Sequence, residues 1–160
     1  MKPLLVGELN PYGSDPAFAL YHTPENSAGG RLCRLVMGLR RLDYERSYDR
    51  ANLCAGKWSA KPARERAAAL LSERLRGAAG GPPPVVVLLG ARVCSAFGRD
   101  YQPFCHYETS EDVLGESGEV SYVVLPHPSG LCRLWNAPGS FGRARESLRS
   151  AGCAVGDPLP

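Results

Sequence analysis

The run Val85-Val-Val-Leu-Leu-Gly90 constrains the fold of this chain more than any other segment. An unbroken series of β-branched and leucine residues, closed by a glycine and preceded by a stiff Ala78–Pro84 loop, reads as a strand buried on both faces. Such a strand belongs in the middle of a sheet that is covered on both sides. Further apolar strands are expected at 3–6, 50–54 and 121–125, with a weaker one at 101–107. Between them lie helical patterns. Leu32, Leu35, Val36 and Leu39 share one face of a helix at 30–39. Ala63, Ala67, Leu70, Leu71 and Leu75 share one face at 62–76, opposite Arg64, Glu65, Arg66, Glu73 and Arg74. Pro62 suits the first turn of that helix and Gly77 its C-terminal cap. Short helices are expected at 91–97 and 140–151, loops at 14–29 and at the acidic 110–118, and a loose tail at 154–160. Strands alternating with helices imply an α/β three-layer sandwich, with a central mostly parallel sheet flanked by helices. The whole chain, 1–160, is expected to form a single domain.

Composition narrows the class without deciding it. The chain has 160 residues and a formal net charge of +3, which is compatible with a nucleic-acid partner and does not require one. No apolar run is long enough to span a membrane, and the apolar start is cut short by Glu8, so neither a membrane anchor nor a secretion signal is expected. The six cysteines include no CxxC pair, and zinc and iron–sulfur sites usually draw on such pairs. They are expected to be reduced thiols in a cytoplasmic protein.

Two loops carry the candidate chemistry. VGELNPYG (Val6 to Gly13) follows the first strand, and LPHPSGLCRLWN (Leu125 to Asn136) follows the last. Both lie past the carboxyl ends of strands, where open parallel sheets bind their ligands. Glu8 offers a carboxylate that can take a proton from water, and Asn10 an amide that can orient water. His127, between two prolines, offers an imidazole.

This pair of loops resembles the two signature motifs of the uracil-DNA glycosylase superfamily. The first motif of that family reads GQDPY, GINPG or GEAPG in different branches, and GELNPYG combines features of all three. The second often reads HPS followed by a small or apolar residue, as in His127 to Leu131 here. The order and spacing of strands and helices fit as well, so the resemblance covers roughly the whole chain. It implies the same three-layer fold and cleavage of the bond between a flipped-out base and its sugar. It implies that His127 stabilises the leaving base and that Glu8 or Asn10 positions the attacking water. Tyr12 would wall the base pocket, and Asn52 would read the edge of the base. Ser129 and Gly130 would meet the DNA backbone, Leu131 would fill the gap left by the flipped nucleotide, and Arg133 would hold a phosphate. The family stacks an aromatic ring on the base. The matching place here, near Glu25 or Asn26, has none, which leaves Phe18, Tyr21 or His22 as substitutes. The cysteine spacing does not reproduce the iron–sulfur cluster of some branches, so no cofactor and no metal are expected.

The expected function is therefore that of a monofunctional DNA glycosylase, acting as a monomer, that excises uracil or a modified pyrimidine in base-excision repair. An alternative is an antiviral defence glycosylase that removes a bulky modified cytosine from phage DNA, motivated by the unusual 14–29 loop. A non-enzymatic alternative is a module that binds damaged or single-stranded DNA. A phosphorylated-metabolite domain is also conceivable, although no GxGxxG or Walker loop supports it.

Overall fold

The computed structural model describes residues 1–10, 13 and 15–157. Five strands form one sheet in the order β2-β1-β3-β5-β4. They are β1 (Leu4–Asn10), β2 (Asp49–Ala55), β3 (Val85–Leu89), β4 (Cys105–Val113) and β5 (Glu116–Leu125). β1 runs parallel to β2 and β3, and β3 parallel to β5, while β4 is antiparallel to β5 at the sheet's edge. Helices cover both faces, so the chain is an α/β three-layer sandwich with a mostly parallel sheet, as the sequence pattern predicts.

The alternation of side chains along each strand explains the continuous apolar runs. Leu4, Val6, Val86 and Leu88 point to one face, where they pack with Ala63, Ala67 and Leu71 of α3 (Ala60–Gly77) and with Val93 of α4 (Ala91–Ala96). Leu5, Val87, Leu89, Val123 and Leu125 point to the other. There they meet Leu32 and Val36, Tyr44 of α2 (Arg41–Ser47), and Ala144 and Leu148 of α5 (Ser140–Ser150).

Four elements differ from the sequence expectation. β1 continues past Val6 to Asn10 because β2 pairs with it as far as Asn10↔Ala55. The expected helix at 30–39 is a single α-turn, α1 (Ala28–Arg31), which widens into a π-helical stretch at Leu32–Val36. The chain then reverses at Gly38, whose φ is +63°. Helix α2 was not expected; seven residues are too few to show a period, and only the fully buried Tyr44 anchors it. The acidic segment expected as a loop is the tip of a long β4–β5 hairpin. Its register runs from Cys105↔Val124 to Val113↔Glu116. The turn residues Leu114 and Gly115 have φ of 49° and 81°, the positive values that a tight two-residue hairpin turn requires. Of the tail, Gly156 N–H donates to Met37 O at 2.8 Å. No helix among the described residues is long and apolar enough to cross a membrane.

Leu88 is fully buried in the central strand. Leu88→Ala is expected to lower the unfolding free energy by about 2–5 kcal/mol, the usual cost of a core cavity, as measured by urea denaturation.

Candidate active site

Strand order reverses around β1: β2 lies on one side of it and β3 on the other. The carboxyl ends of β1 and β3 therefore frame a topological switch point, where open α/β sheets accept ligands. Glu8 lies near the end of β1, Gly90 directly follows β3, and His127 lies two residues beyond β5. Gly90 is the point at which the three meet. A Cβ placed on it would lie 3.2 Å from the Cβ of His127 and 3.5 Å from Oε1 of Glu8. Its backbone, at φ 100° and ψ 165°, is in a region open essentially to glycine alone. Gly90 N–H also donates to Leu125 O at 2.9 Å, tying the end of β3 to that of β5.

The ring of His127 has a defined tautomer. Ser129 N–H donates to Nδ1 at 3.2 Å, so the neutral ring carries its proton on Nε2 and presents it as a donor. The indole N–H of Trp135 donates to His127 O at 2.9 Å. Trp135 is in turn packed between Phe104 and Phe141. Burial pushes the His127 pKa below the ordinary histidine value; the Glu8 carboxylate pulls it up and the Arg92 guanidinium pushes it down. Desolvation is the larger effect, which favours the neutral ring.

Glu8 keeps 17 % of its side chain exposed, and Arg92 Nη1 lies 3.5 Å from its Oε2. Arg92 in turn stands over the ring of Trp58 at 5.7 Å. Neither Arg92 nor Trp58 was foreseen from the sequence. The only signal was the position of Arg92, two residues after the glycine that closes β3. Arg31 was missed for a similar reason: its Nε donates to Pro128 O at 3.1 Å, clamping the loop that carries His127.

The other expected site residues fall into distinct environments. Asn10 is buried, and its amide donates to Asp15 O at 2.7 Å. Asn52 lies in the middle of β2, in register with Gly7. Its amide sits on Gly7 so closely that a Cβ there would be 2.4 Å from Oδ1. Both Asn52 amide atoms are buried without a hydrogen-bond partner, at a cost of about 1–3 kcal/mol for each such group. The side chain of Leu20, a residue with φ of 46°, also covers Gly7. Tyr21 is half-buried, with the Phe18 ring edge-on at 5.4 Å and the His22 ring tilted against it at 4.4 Å. The ring of His22 is held at both nitrogens, by Thr23 Oγ1 and by Glu45 Oε1, each at 2.8 Å. His22 lines a separate small cavity beside Glu25 and Cys33. Tyr12 lies outside the described residues.

The second loop projects outward. Ser129 is half-buried, while Gly130 and Arg133 are exposed. Leu131 is 92 % exposed. Thus Glu8 and His127 converge at Gly90, with Ser129–Leu131 adjoining them. Asn10 and Asn52 line a neighbouring cavity of about 290 Å³. A larger cavity, about 420 Å³, lies among Pro3, Pro82–Pro84 and Gly152 and includes none of these residues. Among the described residues, no cluster of His, Cys, Asp or Glu is arranged to hold a metal ion.

No protein-family model matches this chain, and no match to a curated protein was found.

The His127 environment makes a signed prediction. Its titration midpoint, followed by NMR of the imidazole, is expected below the ordinary value of ~6.5. Arg92→Gln is expected to raise the midpoint, because a cation is removed. Glu8→Gln is expected to lower it further, because an anion is removed.

Proposed function

We propose that the chain is a monofunctional DNA glycosylase that hydrolyses the bond between a flipped-out pyrimidine, uracil or a modified relative, and its sugar. The observation that carries this reading is the meeting of Glu8 and His127 at Gly90. One group is an acid-base carboxylate and the other a neutral imidazole donor, and they share a site at the sheet's switch point.

A base buried in a duplex must leave the stack before its glycosidic bond can be cut. As that bond breaks, negative charge builds on the base and positive charge on the sugar. The Nε2–H of His127, aimed by the Ser129 N–H···Nδ1 bond, donates to a base oxygen as its charge develops. A preorganised donor of this kind accelerates such a reaction by roughly a hundredfold or more. The carboxylate of Glu8 takes the proton of the attacking water and faces the electron-poor sugar carbon. Asn10 is buried and an N–H of its amide donates to Asp15 O, which ties its side chain to the turn that follows β1. In this reading Asn10 shapes the turn and Glu8 handles the water.

DNA would lie across the strand ends. Leu131, with 92 % of its surface open, is suited to enter the stack and fill the gap, as inserted apolar wedges do. Ser129 and Gly130 bring backbone close to the phosphates, and Arg133 supplies charge. The chemistry needs neither metal nor organic cofactor. We place it in the cytoplasm as a monomer, where the six free thiols stay reduced.

The test is base release from duplex and single-stranded DNAs carrying uracil, hydroxymethyluracil, hypoxanthine, or hydroxymethylated or glucosylated cytosine. Release of at least one base is expected, and His127→Ala should slow it roughly a hundredfold or more. Release of uracil places the enzyme in repair, and release confined to a hypermodified cytosine places it in defence against phage. DNA binding with no release from any substrate would contradict the enzyme reading and leave a DNA-binding module. Leu131→Ala should weaken turnover on duplex far more than on single strands, since only a duplex leaves a gap to fill.

A further inference from the structure

Arg50 precedes Asn52 by two residues on β2, so both side chains leave the same face of the strand. The Arg50 guanidinium lies over the rings of Tyr21 and Tyr44, 5.8 and 5.6 Å from their centroids. Its Nη1 is buried with no hydrogen-bond partner. Among the described residues, no carboxylate pairs with it. Aromatic faces offset part of the cost of burying a cation, but a guanidinium has five donors and normally satisfies them on oxygen. Arg50 is half-buried as a whole, and a buried N–H left without an acceptor costs the desolvation of that group.

The surroundings of Arg50 point the same way. Together with Asn52, Asn10 and Arg66 it lines the cavity of about 290 Å³ along the free edge of β2. Among the described residues its lining contains two guanidiniums, those of Arg50 and Arg66, and no Asp or Glu, while the Asn10 amide already donates to Asp15 O. The Asn52 amide is itself unpartnered. Two guanidiniums and the unpartnered Nδ2 of Asn52 suit an acceptor-rich anion.

We propose that this cavity is an oxyanion-binding site, with Arg50 as its fixed charge and Arg66 as its mobile one. In the DNA complex it takes an oxyanion carried by the flipped nucleotide, either a carboxylate on the base or the adjoining phosphate. The nature of the carrier rests on the glycosylase reading; the anion site does not. The inference adds a specificity role to Arg50, a residue outside both loop motifs.

The first readout needs no DNA and no activity. Orthophosphate is titrated into the protein at constant ionic strength, and the side-chain N–H signals of Arg50 and Asn52 are followed by NMR. Saturable shifts of both at millimolar phosphate are expected. Arg50→Met should abolish the Asn52 shift while melting no lower than the wild type, because a half-buried cation with a buried, unpartnered Nη1 has been replaced by an apolar chain. Arg50→Lys, which keeps the charge but not the fork, should bind phosphate several-fold more weakly.

The second readout separates the two carriers, using Glu8→Gln to hold DNA without turnover. If the base carries the anion, a duplex with a carboxylated pyrimidine should bind at least tenfold more tightly than one with uracil, and Arg50→Met should erase the difference. If the backbone carries it, a methylphosphonate beside the flipped nucleotide should weaken binding about tenfold with Arg50 and not with Arg50→Met. Phosphate shifts without any DNA binding would leave the anion site standing and overturn the glycosylase reading. Absence of phosphate shifts, with Arg50→Met indistinguishable from wild type on every duplex, would overturn the inference itself.

Discussion

Glu8, near the end of β1, and His127, just beyond β5, both close on Gly90 at the end of β3, so tightly that a Cβ there would lie 3.5 and 3.2 Å from them, and the candidate site depends on that approach. Glu8 comes from the first strand and His127 from a loop more than a hundred residues later. Only a residue without a Cβ, in a backbone conformation that L side chains rarely adopt, lets both close on the end of β3. The Gly90–Leu125 hydrogen bond then fixes the spacing. The parallel arrangement of β1, β3 and β5 is thus what converts two distant motifs into one site.

Around this contact the protein is built unevenly. On the His127 side three hydrogen bonds hold the loop. Ser129 fixes the ring, the Trp135 indole fixes the carbonyl, and Arg31 fixes the next carbonyl in the loop. This rigidity suits a group that must present a proton in one direction. On the Asn52 side, both amide atoms are buried with nothing to bond, and Leu20, with a positive φ, packs on the same Gly7. Unsatisfied polar atoms and a sparsely populated backbone angle meet on this side, where the anion site is proposed.

Much of the frame was legible in the sequence, because its signals are periodic. The apolar run of β3, the amphipathic face of α3 and the alternation of strands with helices fix the layers. The β4–β5 hairpin was not legible: its outer half pairs charged and polar residues across an edge, so its burial comes from the partner strand rather than from composition. Helix α2 was too short to show a period. Within the site, Glu8 and His127 could be nominated because each stands in a recognisable loop. Arg92, Trp58, Arg31 and Arg50 could not, since a lone arginine or tryptophan gains meaning only from what the fold sets beside it. Asn52 was nominated, but its register against Gly7 and its lack of partners are tertiary facts. His22 shows the converse: a histidine near the site in sequence, whose nitrogens are both occupied by Thr23 and Glu45.

The central claim is that Glu8 and His127 act as one machine, and a double-mutant cycle tests it most directly. Single-turnover base release would be compared for the wild type, Glu8→Gln, His127→Ala and the double variant, on the best substrate. Groups that serve the same transition state lose their effects non-additively. The double variant is therefore expected to be little slower than the slower single variant. Effects that multiply independently, or a wild-type rate surviving either substitution, would contradict the account.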